Sequence, residues 1–271
     1  MSSERRVRVR IPESHPRYRS LMERETLVEG FLTGMVVPEG LIAHGRGEAF
    51  DYLIGETTIE PARRAIEAAA AALLVSAKPV ISVNGNAASL VGRELVELSN
   101  EFGLPLEVNL FYRTEERLRR INVYLRELGA KHLVECESPI ELPAPESERR
   151  RVCEEGIGGA DLVLVMIEDG DRTQALRSMG KIVVAVDLNP LSRTSLAANI
   201  TIVDNVTRAV PLLRSELRRA KGLPREVLRR RLETYDNARV LAEVLAHIKR
   251  RLEELSSSLI SRSSVAPAST R

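Results

Sequence analysis

The chain alternates short, continuous apolar runs with longer segments in which apolar residues recur at helical spacing. Continuous apolar runs that are bounded by turn residues predict strands buried on both faces of a sheet. The predicted strands are residues 79–83, 106–111, 131–136, 161–167, 181–187 and 200–203. Because helices separate them, we expect an α/β fold: a three-layer, Rossmann-like, mostly parallel sheet with helices on both faces.

Helical spacing also predicts helical N- and C-terminal extensions around this sheet. The predicted helices are residues 15–32, 57–75, 87–102, 114–128, 173–179, 192–198, 206–220, 225–233 and 237–255. Residues 1–10 are charged and predict a flexible arm, and residues 256–271, rich in Ser, Ala and Pro, predict a disordered tail. Residues 11–255 are then a single α/β domain with a helical C-terminal part from about 206 to 255.

Charge and cysteine content narrow the class of protein. The 40 basic and 38 acidic residues nearly cancel, which leaves no global field to attract nucleic acid or an anionic membrane. No signal peptide or membrane-length apolar run is present, so we expect a cytoplasmic protein without a nucleic-acid or membrane partner. Cys136 and Cys153 could form a disulfide, but a protein with a core of this size does not need one for stability. We therefore expect two free thiols.

Polar residues follow several predicted strands, at the edge where ligands gather in parallel sheets. An acidic residue at a strand end, such as Asp187 or Asp204, suits ribose hydroxyls or an adenine amine. Arg193 and Thr194 open a predicted helix and suit a phosphate. This part of the sequence therefore predicts a site for a phosphorylated nucleotide.

Three other stretches each allow two interpretations. Residues 82–89 follow a strand and open a helix, so they predict either an anion site or only a turn. The carboxylates of Glu168, Asp169 and Asp171 either bind Mg²⁺ or cap the next helix. Residues 40–52 contain Arg46 between two glycines, and we interpret them as a loop that either clamps an anion or merely turns.

Missing motifs exclude some functions. The chain has no G-x-x-x-x-G-K-[ST] and no G-x-G-x-x-G after its first strand, and its four histidines lack zinc-ligand spacing. A P-loop enzyme is therefore excluded and a nicotinamide enzyme is disfavoured. The alternatives to an enzyme that uses ATP are an oxidoreductase acting on a phosphorylated acid, a nucleotide sensor without activity, and an Arg-rich nucleic-acid-binding protein. The low net charge and scarce aromatics make the last the weakest.

Several long runs closely resemble archaeal 4-phosphopantoate–β-alanine ligases, also called phosphopantothenate synthetases. The runs are IPESHPRY, GLIAHGRGEAFDYLIGE, PVISVNGN, LEVNLFYRTEER, EDGDRT, VDLNPLSRT and ITIVDN, and the similarity extends in order from about residue 11 to about residue 252. The resemblance implies a homodimeric enzyme of coenzyme A biosynthesis. Such an enzyme uses ATP, with Mg²⁺, to join 4-phosphopantoate to β-alanine through an acyl adenylate, releasing AMP and diphosphate.

The resemblance also implies individual site residues. It places the ATP contacts on Arg24, Arg46, Asp187, Leu188, Asn189, Arg193, Thr194, Asp204 and Asn205. We expect the phosphate of phosphopantoate to be bound by Asn84, Asn86 and Arg113, whose motifs follow adjacent strands. His44 and Arg46 are the catalytic candidates, with His44 contacting the reacting carboxylate or the amine. The metal ligands are open, with Asp169 and Asp171 as candidates.

Overall fold

The computed structural model describes residues 11–143 and 148–263 of the protein. Its strands are β1 (Pro79–Val83), β2 (Leu106–Val108), β3 (Pro139–Glu141), β4 (Arg151–Cys153), β5 (Leu162–Met166), β6 (Ile182–Val186) and β7 (Ile200–Ile202). Five of them form one sheet in the order β2–β1–β5–β6–β7, and every neighbouring pair is parallel. The expected Rossmann-like sheet is confirmed. β3 and β4 form a separate antiparallel hairpin.

Helices surround the sheet, and further helices precede its first strand and follow its last strand in the chain. They are α1 (Tyr18–Leu32), α2 (Pro38–Ile54), α3 (Glu60–Val75), α4 (Gly85–Phe102), α5 (Glu115–Glu127), α6 (Gly170–Ser178), α7 (Arg193–Ala197), α8 (Val206–Ala220), α9 (Arg225–Glu233) and α10 (Asn237–Ser263). Helices α1 to α3 precede the sheet, and α8 to α10 follow it; the apolar periodicity predicts all of these except α2. None of the helices in the described residues is long and apolar enough to cross a membrane.

The continuous apolar runs are explained by burial of both sheet faces. Along β5, Leu164 and Met166 face a core shared with α3, α4, α5 and α8, whereas Val163 and Val165 face a second core. The second core is completed by α6 and by the β3–β4 hairpin. Successive side chains of a strand point to opposite faces, so a strand covered on both sides must be apolar at every position. The predicted three layers are therefore present.

Helix α2 corrects the expectation of a loop at residues 40–52. Pro38 occupies the first turn of α2, where its missing N–H costs nothing, and the helix then runs through the glycines without a break. A Cβ added at Gly45 would meet no atom within 4 Å, and one added at Gly47 would lie 3.6 Å from Leu188. Gly45 and Gly47 therefore make the sequence look less helical, although no turn of the chain requires them.

The cysteines correct a second expectation, because Cys136 and Cys153 form a disulfide with their Cα atoms 5.2 Å apart. The hairpin explains the pairing. Pro139 in β3 lies directly opposite Cys153 in β4, which brings the preceding residues, including Cys136, beside that cysteine. The stretch after Cys136 contains β3, and the pairing of β3 with β4 sets this register.

Three boundaries also differ from the sequence prediction. The expected strand 131–136 is reduced to one isolated bridge between Leu133 and Leu106. Strand β2 ends at Val108, earlier than expected, because the chain then turns into the loop that leads to α5. Helix α10 continues past the predicted end at Leu255 to Ser263, so the start of the expected tail is helical. Residues 1–10 and 264–271 of the expected arm and tail lie outside the described residues.

Candidate active site

The site lies where the direction of strand addition reverses. The chain proceeds from β1 to the edge strand β2, and it then returns to place β5 on the other side of β1. Ligands of open parallel sheets bind in the crevice that such a reversal leaves at the carboxyl ends of the strands. Two adjoining compartments occupy this crevice, one of about 410 Å³ and one of about 130 Å³. They share walls made by Ala43, Phe111, Arg149 and Ile167.

The large compartment collects most of the predicted nucleotide residues. It lies between α2 and the carboxyl ends of β5, β6 and β7, and is lined by His44, Arg46, Asp187, Leu188, Asn189, Asp204 and Asn205. Residues more than 140 positions apart in the chain thus meet because parallel strands end at one edge of the sheet. Arg24, Arg193 and Thr194, which were predicted with them, do not line this compartment.

These three residues have protein partners. Arg24 forms a bidentate pair with Glu48, with an Nη2–Oε1 distance of 2.8 Å. Arg193 pairs with Asp171, and the Thr194 hydroxyl donates to the backbone carbonyl of Glu168 at 2.9 Å. The Thr194 contact fixes the start of α7 to the end of β5.

The two strand-end aspartates are largely satisfied by the protein. Asp187 accepts hydrogen bonds from the Ser192 hydroxyl at 2.5 Å and from the Asn189 N–H at 2.9 Å, and burial raises its pKa. Asp204 accepts from the Thr58 hydroxyl at 2.5 Å and from Arg208 Nε at 2.8 Å, and burial again raises its pKa. Both side chains are therefore held in the compartment wall by bonds within the protein. A bond to a ligand is formed in addition to these.

His44 and Arg46 are the side chains of this wall that lack protein partners. His44 Nε2 is buried and has no hydrogen-bond partner among the described residues. Burial is the main cause that lowers the pKa of His44, so the imidazole is neutral at pH 7. Arg46 is exposed and forms no hydrogen bond or ion pair with the described residues. The guanidinium cation of Arg46 and the neutral imidazole of His44 therefore lie on the same wall of the large compartment, and neither is bonded to the described residues.

The small compartment lies at the N-terminus of α4. The Asn84 side chain caps this helix by accepting from the Ala87 N–H at 3.0 Å, and it donates to the Met166 carbonyl at 2.7 Å. It also donates to the carbonyl of Ile167, whose φ of 49° is a strained value for a β-branched residue. Asn86 donates to the Gly40 carbonyl at 2.7 Å. Both predicted asparagines line the compartment, but their amide groups hold neighbouring backbone.

Arg113, the third residue predicted to bind phosphopantoate, lines neither compartment. Its nearest carboxylate is that of Glu115, 3.6 Å away, and its Nε is buried without a partner among the described residues. It lies beside an outer groove near the start of α5. The structure therefore separates Arg113 from the two asparagines with which it was grouped.

Sequence similarity to known proteins identifies the family of the chain. The family model described as phosphopantothenate/pantothenate synthetase matches residues 61–251 of the chain. The chain belongs to this family. A 4-phosphopantoate–β-alanine ligase of Thermococcus kodakarensis is 54% identical over 248 residues, which cover 91% of this chain and 95% of the relative. Ligases of the same name from Thermococcus onnurineus and Methanosarcina mazei are 52% identical (91% of this chain, 95% of the relative) and 46% identical (90% and 96%).

In this phosphopantothenate synthetase family member, the acidic residues after β5 act as helix caps and ion-pair partners. Asp169 accepts from the Arg172 N–H at 2.9 Å and from Arg149 Nη1 at 2.8 Å, and Asp171 pairs with Arg193. Within residues 11–143 and 148–263, no group of three or more His, Cys, Asp or Glu side chains is arranged to hold a metal ion. Of the two interpretations of this loop, the structure favours the helix cap.

Three buried arginines of this synthetase were not identified from its sequence. Arg149 and Arg172 both pair with Glu168, whose side chain is only 2% exposed. Arg117 was hidden in the charged pattern of α5, yet it lies one turn before the buried Ile121 and on the same face, a signal that could have revealed it. Arg149 belongs to the run ESERRR, which has no periodicity from which burial could be inferred.

Proposed function

We propose that the protein condenses 4-phosphopantoate with β-alanine, using ATP, and releases 4'-phosphopantothenate, AMP and diphosphate as a step of coenzyme A biosynthesis. The observation that supports this most directly is the pair of adjoining compartments at one sheet edge, because the reaction needs a nucleotide beside a smaller anionic acid. The names of the similar ligases support the same reaction. A cytoplasmic location, where ATP is available, belongs to this proposal.

ATP is proposed to occupy the large compartment, with its base and ribose near Asp187, Leu188 and Asn189 and with Asp204 and Asn205 beyond them. Arg46 then lies free to bind the phosphates. Arg24, Arg193 and Thr194 remain part of the proposed ATP site, although each must exchange a present protein partner to reach the nucleotide. Mg²⁺ is proposed to be held by the ATP phosphates and waters, which is usual for this ion.

The proposed chemistry has two steps. A carboxylate oxygen of phosphopantoate attacks the α-phosphorus of ATP and diphosphate leaves, which forms an acyl adenylate. The amine of β-alanine then attacks the acyl carbon, and AMP leaves with the former carboxylate oxygen. Both steps bring anions together, so a cation such as Arg46 stabilises the charge that develops at the α-phosphate.

His44 is proposed to accept the proton that the β-alanine amine must lose. Because burial lowers the pKa of His44, its neutral form persists below the ordinary histidine value of about 6.5. We therefore expect the acidic limb of kcat/KM for β-alanine to have its midpoint below pH 6.5. In a pH-rate profile, His44→Gln should lose this limb along with most of its activity. An unaltered limb in His44→Gln would assign the proton transfer to another group.

The reaction itself is tested by incubating the protein with ATP, Mg²⁺, 4-phosphopantoate and β-alanine. AMP, diphosphate and the amide should form in equal amounts. Formation of ADP would contradict the adenylate. Reduction of NAD⁺ or NADP⁺ with phosphopantoate would favour the oxidoreductase alternative, and ATP binding without AMP formation would favour the sensor.

We also propose that the protein is a homodimer. A groove of about 1080 Å³ lies between α1 and α5, and exposed apolar side chains border it, including Leu32 and Val123. Exposed apolar surface of this kind is typical of subunit contacts. Sedimentation equilibrium should give twice the chain mass of 30.1 kDa, and a monomer mass at assay concentration would contradict the proposal.

A further inference from the structure

Three charged residues line the small compartment: two arginines and Glu39. Its volume of about 130 Å³ exceeds the roughly 10–15 Å³ that one water needs by the same kind of measure. Two buried arginines, Arg117 and Arg149, line it from opposite parts of the chain. Neither belongs to the nucleotide residues discussed above.

Arg117 is held in place by neutral backbone groups. It is 9% exposed, and its Nε and Nη1 donate to the backbone carbonyls of Met35 and Tyr112, each at 2.8 Å. No carboxylate of the described residues lies within ion-pair distance of it. Its Nη2 lies beside Gly85, since a Cβ added there would come within 2.6 Å of that nitrogen. The neutral carbonyls orient the guanidinium, and Glu39, which also lines the compartment, acts on its charge only from beyond ion-pair distance.

Arg149 approaches the same space from the turn between β3 and β4. It is 7% exposed, and its Nη1 pairs with Asp169 and Glu168, while its Nε is buried without a hydrogen-bond partner in the described part of the chain. Burial, together with the positive charges of Arg172 and Arg117, lowers the pKa of Arg149 to about 9. Arg117 and Arg149 are thus close enough to repel each other, and an anion between them would relieve that repulsion.

The backbone of α4 adds donors at the same place. The side chain of Asn84 caps Ala87, which leaves the N–H groups of Gly85 and Asn86 in the first turn, and both residues line the compartment. First-turn N–H groups have no partner within their helix, and the helix dipole favours an anion there. A glycine at position 85 is required, because a Cβ would come within 2.1 Å of the Met35 carbonyl.

We propose that the small compartment binds the phosphate of the acid substrate, with Arg117 and Arg149 as its clamp and the N–H groups of Gly85 and Asn86 completing it. This inference rests on the proposed function, and it replaces the side chains of Asn84, Asn86 and Arg113 as the phosphate ligands. Four converging donors suit the three oxygens of a phosphomonoester. The carboxylate of the acid then points through the shared wall toward the α-phosphate of ATP.

Calorimetric titration of 4-phosphopantoate in the absence of ATP and β-alanine tests the subsite without turnover. Arg117→Gln keeps one donor for the carbonyls but removes the charge, and we expect it to weaken binding by about 30-fold or more. Arg126→Gln is the matched control, since Arg126 lies on the same helix but pairs with Glu135 outside the compartment. It should bind as the unaltered protein does. Arg149→Lys, which keeps a charge for Glu168, is a second variant and should weaken binding as well.

Steady-state kinetics separate the subsite from the reaction. In Arg117→Gln, the KM for 4-phosphopantoate should rise while the KM for ATP changes less than about threefold, and the preference for 4-phosphopantoate over pantoate should collapse. Equal losses for both acids, or unchanged affinity in both variants, would overturn the subsite. Tight binding that depends on Arg117 without any AMP formation would instead overturn the proposed function and leave the subsite standing.

Discussion

Replacing Arg172 with methionine is expected to lower the free energy of unfolding by about 3–5 kcal/mol. Arg172 is 2% exposed, and it pairs with Glu168 and donates to the Ser82 hydroxyl at 3.1 Å. It also attracts the buried Glu107, whose own pKa is raised by burial. Methionine fills similar space but leaves these carboxylates without that cation. The expected loss is large because, among the described residues, Glu107 then has only backbone N–H donors and Glu168 has only Arg149 as a cation, at a buried place where water cannot replace the lost cation.

Arg177→Met is the matched control for this prediction, because Arg177 lies on the same helix but is exposed. Its effect should stay within about 0.5 kcal/mol, as is usual for surface substitutions. Urea-induced unfolding measures both variants. The double variant Arg172→Met with Glu168→Gln should recover part of the loss, since the two residues are in contact. A loss below about 1 kcal/mol in Arg172→Met would show that the cluster is not held by this arginine.

Replacing Arg46 with alanine should lower kcat/KM for ATP by roughly 100- to 1000-fold, the range found when one preorganised charge-stabilising donor is removed. Arg46 is exposed, lines the large compartment and has no partner in the described protein, so nothing but a ligand is expected to engage it. For the same reason the free energy of unfolding should change by less than about 0.5 kcal/mol. The combination of lost activity and retained stability identifies a residue that acts on substrate.

The control is Arg63→Ala, an exposed arginine on α3 that lines no compartment of the crevice. Its kcat/KM should equal that of the unaltered protein. Initial rates of AMP release at varied ATP concentration measure both variants. Activity in Arg46→Ala within about threefold of the unaltered protein would remove Arg46 from the proposed chemistry.

The sheet could be predicted from the sequence because its strands are buried on both faces. The strands Leu162–Met166 and Ile182–Val186 must be apolar throughout, and no other local structure explains that pattern as simply. Helix α2 could not be predicted in the same way. Gly45 and Gly47 suggested a loop, whereas they lie where a side chain would meet little, so their presence says nothing about chain reversal.

The position of the candidate site on the sheet could be predicted from the sequence, but only some of the contacts of its side chains could. Strand ends predicted that Asp187 and Asp204 lie at one edge of the sheet, and both line the large compartment, because parallel topology brings such residues together. Partners were not predictable: Asn84 holds the end of β5, and Arg24 holds Glu48, through contacts far apart in sequence. Arg149 reaches the crevice only because the β3–β4 hairpin folds against the sheet, and no local pattern encodes that placement.

The most direct test of the account follows one oxygen atom of the acid substrate. 4-Phosphopantoate labelled with ¹⁸O at both carboxylate oxygens is incubated with the protein, ATP, Mg²⁺ and β-alanine, and the product masses are measured by mass spectrometry. Attack of the carboxylate on the α-phosphorus predicts that each AMP carries one ¹⁸O, with none in diphosphate. Unlabelled AMP, or ADP together with labelled inorganic phosphate, would contradict the acyl adenylate and the arrangement of the two compartments that it explains.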